Sequence, residues 1–224
     1  MGVMPQEFNT SREVQIPPFG LAGEVVVPAG ARRLVVFVHD AASDHTSVRN
    51  RTVARLLQPR GFATVVFDLV RPQDRADGAR VVDDLIEQSD RLVELLSWIG
   101  RERDLASLPC SLFGAGTGAA VALVAAARVQ SRVHALVSRG GRPDLAKPVL
   151  GLVRAPTLLL VGSADLEVLD QNRSVMALFG GPAALEVVPG ASHLFAEEGA
   201  LEAVARLTAD WLAAQVGLAS SGQR

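Results

Sequence analysis

One cysteine, no block of basic residues and no long unbroken apolar run are the conspicuous shortages of this 224-residue chain. Each removes a class of protein. Cys110 alone cannot close an internal disulfide and is too little for a thiolate metal site, which fits a reducing compartment. A formal charge of -2 with no cluster of lysine and arginine offers nucleic acid or an anionic membrane surface nothing to bind. The apolar runs stop well short of the roughly 18 residues a spanning helix needs, and Met1 to Ser11 is polar with no apolar signal segment, so the chain is expected to stay in the cytoplasm. The four histidines (His39, His45, His134, His193) show no metal-ligand spacing. Neither a metal nor another cofactor is expected.

What remains is the composition of an ordinary globular protein, 49% hydrophobic and 21% charged, with no shift marking a second domain. One domain over 1–224 is expected, with 1–10 and 219–224 mobile. Short β-branched runs alternate with longer helical periods, as in a mostly parallel sheet with crossover helices, an α/β sandwich. Arg12 to Ile16 and Gly23 to Val27 read as an opening hairpin, followed by a buried run from Leu34 to Val38. Ser47 can cap a helix to about Gln58, and Ala63 to Val70 reads as the next strand. Val81 to Ile99 has helical spacing, as does the Ala-rich stretch to Val129. His134 to Ser138, Thr157 to Val161 and Leu185 to Val188 read as later strands, with helices near Leu169 to Phe179 and from Ala200 to Val216.

Chemistry concentrates where strands end. After Ser111 to Phe113 comes Gly114-Ala115-Gly116-Thr117-Gly118, with the spacing of G-x-S-x-G, a sharp strand-to-helix turn that presents its central side chain. The central residue here is Gly116, which has none. The turn could instead only pack helix on strand; the Lys-Ser/Thr pair of a phosphate-binding loop is missing. An acid and a base follow in the order nucleophile, Asp, His: Asp165 just past TLLLVGSAD, and His193 in the loop before the last helix. Singly, Asp165 could be a helix cap and His193 a solvated loop residue.

Five strings together resemble the dienelactone-hydrolase-like α/β-hydrolases, a family whose members occur alone or joined to phosphoribosyltransferase domains. They are Ser47-Val48-Arg49-Asn50-Arg51, Phe113-Gly114-Ala115 with Thr117-Gly118-Ala119-Ala120, Ser138-Arg139-Gly140-Gly141-Arg142-Pro143-Asp144-Leu145, Arg154-Ala155-Pro156-Thr157, and Val188-Pro189-Gly190-Ala191-Ser192-His193-Leu194-Phe195. The likeness runs from about Ser11 to Leu218. It implies an α/β-hydrolase fold, a mostly parallel central sheet flanked by helices on both faces with no large lid domain. It further implies hydrolysis of small esters, lactones or thioesters, with His193 as base, Asp165 as its orienter and a serine where Gly116 stands. Cys110 lies six residues upstream and does not match that position.

Two departures fall at the chemistry. Gly116 supplies no attacking atom, a loss that costs such enzymes on the order of 10⁶-fold in kcat. Asp40 follows His39 where the family has His-Gly, in the loop that resembles the source of one oxyanion-hole amide, the Thr117 amide being its expected partner. Gly116 also relieves a strained turn, so Gly116→Ser is expected to cost about 1 kcal/mol of stability. Arg139 could hold a substrate carboxylate, or Arg139 and Arg142 could form surface ion pairs. Arg49, Asn50 and Arg51 read as ties between the loop and the helix, His39 as a ring that orders the loop, Ser43 as turn chemistry, and Trp98 and Trp211 as packing. Three functions stay open: a small-ester hydrolase lacking its nucleophile; a lyase, isomerase or cyclase using His193, Asp165 and Asp40 as acid and base without a covalent step; and a non-catalytic protein that binds a small ligand.

Overall fold

A computed structural model describes residues 10–40, 44–71, 73–74 and 84–219. The expected mobile ends lie outside these residues except for Thr10 and Ala219. So do Ser43 and Val81 to Asp83, the start of an expected helix.

Eight strands form one sheet in the order β1-β2-β4-β3-β5-β6-β7-β8. The opening hairpin, β1 (Thr10–Ile16) and β2 (Leu21–Val27), is antiparallel, and β2 runs antiparallel to β4 (Phe62–Phe67). From β4 onward β3 (Arg33–Val38), β5 (Cys110–Ala115), β6 (Ala135–Arg139), β7 (Thr157–Gly162) and β8 (Ala183–Val188) are all parallel. The central strands read as continuous apolar runs because both faces are covered. In β3, Leu34, Val36 and Val38 pack on one face while Val35 and Phe37 pack on the other. The first face lies under α2 (Leu85–Ile99) and α3 (Gly118–Arg128); the second lies under α1 (Val48–Leu57) and α5 (Ala200–Ala219). A further helix, α4 (Leu166–Val175), follows β7.

Several boundaries differ from expectation. β4 ends at Phe67, not Val70, because Asp68 turns out of the sheet to bind the loop after β3. α4 starts at Leu166, a turn before Leu169, since Asp165 stands at its amino-cap position. The segment between β6 and β7 is a ten-residue 3₁₀ stretch, Pro143–Leu152, interrupted by Pro148. Ser47 precedes α1 but its side chain makes no capping bond, whereas Asp84 caps α2 through the amides of Ile86 and Glu87.

The first turn of α3 presses on the end of β3, and only glycine permits it. A Cβ on Gly118 would stand 2.3 Å from the Val38 carbonyl oxygen and 2.6 Å from that of His39. Gly118→Ala is therefore expected to lower the free energy of unfolding by about 1–3 kcal/mol, as overpacking does elsewhere. An unchanged denaturation midpoint would contradict this close approach. Cys110, at the start of β5, is buried, and burial pushes its thiol up to about 12.

Candidate active site

Polar residues gather at the carboxyl edge of the parallel strands, where α/β sheets bind ligands. His39 and Asp40 follow β3, Asp68 follows β4, Gly116 follows β5, Arg139 ends β6, Asp165 follows β7, and His193 lies beyond β8.

Gly116 is the hinge of the strand-to-helix turn. Its φ of +57° is in the left-handed region, its amide donates to the Arg139 carbonyl at 3.4 Å, and its carbonyl accepts from Arg142 at 3.1 Å. The turn thus has an elbow's backbone. A Cβ at this position would meet nothing closer than Asp40, with Oδ2 at 3.4 Å and Cβ at 3.7 Å. Asp40 therefore points at the elbow, an orientation the sequence left open. The Thr117 amide, at the amino end of α3, donates to no other described residue. It is placed to bind negative charge above the turn.

His193 and Asp165 meet. His193 Nδ1 lies 2.7 Å from Asp165 Oδ2; with a carboxylate as acceptor, Nδ1 carries the proton and Nε2 is left as the basic nitrogen. The Asp165 side chain is 12% exposed and that of His193 is 52% exposed, so the acid is sheltered and the base reaches outward. Asp165 occupies a helix amino-cap position without capping it. A cap there stabilises by about 1 kcal/mol, so the carboxylate is committed to the imidazole in its place. Gly140 seats the His193 loop: a Cβ on it would lie 3.2 Å from the His193 carbonyl oxygen and 3.9 Å from Nδ1. Gly140 adjoins Arg139, whose carbonyl holds the Gly116 amide, so the His193 loop and the elbow are anchored on consecutive residues.

Arg139 and Arg142 have parted company. Arg142 makes the surface ion pair expected of such residues, two bonds of 2.8 Å to Asp144. Arg139 is no surface residue; it is 7% exposed, with its guanidinium 5.9 Å from the Phe113 ring and 6.0 Å from the Phe195 ring. Its guanidinium makes no hydrogen bond to any described residue, and Nη1 is buried without a partner. Burial, then the neighbouring Arg49, lower its pKa to about 10, while Asp40 acts in the opposite direction. Among the described residues, only Arg51 of the Arg49-Asn50-Arg51 string ties the loop down, donating to the His45 carbonyl at 3.1 Å and pairing with Glu24; Arg49 Nε and Asn50 Oδ1 are buried without partners.

A second His–Asp pair escaped the sequence reading. Asp68, buried, accepts from the His45 amide at 2.7 Å and lies 2.9 Å from His45 Nδ1. It was hidden inside the apolar string ATVVFDLV, where the one signal was a carboxylate at the far end of a buried run. His39 does order the loop, its ring nitrogens lying 2.6 Å from the Phe67 carbonyl oxygen and 2.9 Å from that of Asp40. Trp98 packs in the core and Trp211 beside it. A cavity of about 870 Å³ lies instead at the amino edge of the sheet, lined by Pro109, Cys110, His134 and Pro156 among others and by none of the residues gathered at the carboxyl edge. Among the described residues no group of three or more His, Cys, Asp or Glu could hold a metal ion, and no helix is long and apolar enough to cross a membrane.

This fold is that of an α/β-hydrolase, and the chain belongs to the dienelactone-hydrolase-like family. It is 41% identical to the dienelactone hydrolase from Anabaena variabilis ATCC 29413, with a TM-score of 0.85 over 92% of this chain and 97% of that one. A dienelactone hydrolase-like promiscuous phosphotriesterase from metagenomic libraries shares the fold at 17% identity and a TM-score of 0.74, covering 92% of this chain and 98% of that one. Among curated proteins, a "Putative phosphoribosyl transferase" known from two strains of Mycobacterium tuberculosis is 49% identical over 201 residues. That match takes in 89% of this chain and 45% of the relative, so the chain spans about half the length of the curated relatives it matches. No family model matches the chain.

Proposed function

We propose that this chain is a small-ester hydrolase site complete except for its attacking atom: His193 is the general base, Asp165 fixes its tautomer, the Thr117 amide faces the developing oxyanion, and Gly116 leaves covalent acyl transfer without a nucleophile. Its substrate class is small esters, lactones or thioesters, handled without metal or cofactor, by one α/β-hydrolase domain over 1–224 in the cytoplasm. The carrying observation is the His193–Asp165 bond, made by an acid that forgoes capping its own helix. An imidazole held this way can take a proton from water or from a substrate group. Binding without catalysis would not need that tautomer.

The test is turnover of 4-nitrophenyl acetate by the chain as it stands and by Gly116→Ser, both shown to be folded. Turnover by the serine form alone supports the reading. Two inert proteins would overturn it.

A second reading draws on Asp40, whose carboxylate faces Gly116. In it the site performs non-hydrolytic acid–base chemistry, as a lyase, isomerase or cyclase, with His193 and Asp40 moving protons. Loss of such a reaction in both His193→Ala and Asp40→Asn would favour it over the first.

A further inference from the structure

Asp40 borders the reactive position directly. Its Oδ2 lies 3.4 Å and its Cγ 4.0 Å from the point a Cβ at residue 116 would occupy, so the space left by the absent side chain is walled by a carboxylate oxygen. Negative charge is favoured there. The Thr117 amide, at the amino end of α3, donates to no other described residue, and the Arg139 guanidinium, buried with Nη1 unpartnered, brings a full positive charge to the same strand ends. Glycine matters as much as the carboxylate, because any side chain at 116 would stand between Oδ2 and a substrate seated over the elbow.

From this juxtaposition we infer that Asp40 is itself the nucleophile, moved from the turn after β5 to the end of β3, and that the matching substrates carry a leaving group on saturated carbon, primary alkyl halides being the simplest class. The carbon type follows from the chemistry of carboxylates. Attack on an acyl carbon would give an anhydride, more reactive than the ester consumed; displacement of halide from saturated carbon gives an ordinary ester that persists until water attacks it. In the first step an Asp40 oxygen bonds to the carbon as the carbon–halogen bond breaks, and the electron pair leaves with the halide. No proton is needed.

In the second step His193 Nε2 takes a proton from water, whose oxygen bonds to Asp40 Cγ. The Cγ–O(alkyl) bond then breaks, and the alcohol departs with the proton that His193 returns. The acid left on Asp40 loses its proton to solvent, restoring the carboxylate with one oxygen drawn from water. The net change consumes one alkyl halide and one water and releases alcohol, halide and a proton. This rests on His193–Asp165 acting as a base, which the ester assay on Gly116→Ser probes separately.

The experiment uses 1-bromobutane. In the full chain carrying His193→Gln, the second step lacks its base, and a single butyl adduct should accumulate on the peptide that contains Asp40, as read by intact mass and peptide mapping. Asp40→Asn should remove the adduct. The unaltered chain should release bromide over repeated turnovers and, in ¹⁸O-water, carry label into the Asp40 carboxyl group, a readout that does not depend on any variant folding. No adduct on a folded His193→Gln chain, an adduct mapped elsewhere, or bromide release that survives Asp40→Asn overturns the inference. Ester turnover by Gly116→Ser without any butyl adduct would leave the base reading standing and remove this one; a butyl adduct on Asp40 with no ester turnover by Gly116→Ser would support Asp40 as the attacking group and count against the ester reading alone.

Discussion

Gly116→Ser is expected to raise kcat for an activated acetate ester by about 10³-fold over the chain as it stands, and His193→Ala added to the serine form should cancel the gain. The magnitude combines two opposing effects. A nucleophile in a preassembled site is worth on the order of 10⁶-fold. Against it stands Asp40, whose Oδ2 would lie within about hydrogen-bond reach of a serine hydroxyl built on a Cβ only 3.4 Å away. A unit charge ~4 Å from a developing oxyanion repels it by roughly 4 kcal/mol at an effective dielectric of about 20, which is about 10³-fold in rate. The gain should come with a loss of about 1 kcal/mol in unfolding free energy, since residue 116 has φ of +57° and glycine bears that conformation without strain. A serine form that is folded, no less stable and still inert would mean that the Thr117 side of the turn does not bind an oxyanion.

Removing the opposing charge gives the second large effect. Asp40→Gly in the Gly116→Ser background is expected to raise ester turnover by a further factor of about 10²–10³, the range associated with gaining or losing one oxyanion donor. In the Gly116 chain the same change should have the opposite sign for alkyl halides, because there Asp40 is the attacking group. One substitution with opposite effects on two reactions, set by what stands at residue 116, separates electrostatic obstruction from nucleophilic participation. Ester turnover unmoved by Asp40→Gly would show that the carboxylate swings away from the elbow once serine is present.

Much of this site was legible because its chemistry sits at strand ends, and strand ends are what hydrophobic patterning marks best. The LVVFV run ends at His39, TLLLVG ends just before Asp165, and the glycine turn after Phe113 announced its own geometry. What the sequence withheld was orientation. Nothing in His39-Asp40-Ala41 tells which way the carboxylate faces; that depends on the packing of α3 against β3, through Gly118, far along the chain. Arg139 looked like half of a surface pair because Arg142 is one, and only the flanking rings of Phe113 and Phe195, from two other segments, show it buried. Asp68 was absorbed into an apparent strand because a carboxylate two residues before Val70 does not by itself interrupt an apolar pattern. Helix ends moved for a similar reason: Asp165 could be counted as a cap or as the partner of a histidine, and its carboxylate binds a histidine 28 residues away in place of its helix.

The lone thiol offers a clock for the central strand. Cys110 begins β5, the strand that ends in the elbow, and its side chain is largely buried beside the cavity at the amino edge, with its thiol pushed up to about 12. Thiolate is the reactive form, so a disulfide reagent at neutral pH should label this protein slowly while β5 holds its place, and much faster in molecules whose β5 has left the sheet. Labelling rates measured without denaturant then report how often the elbow is dismantled in solution. A ligand that grips the carboxyl edge should slow that labelling in proportion to its occupancy, although it binds at the other end of the strand.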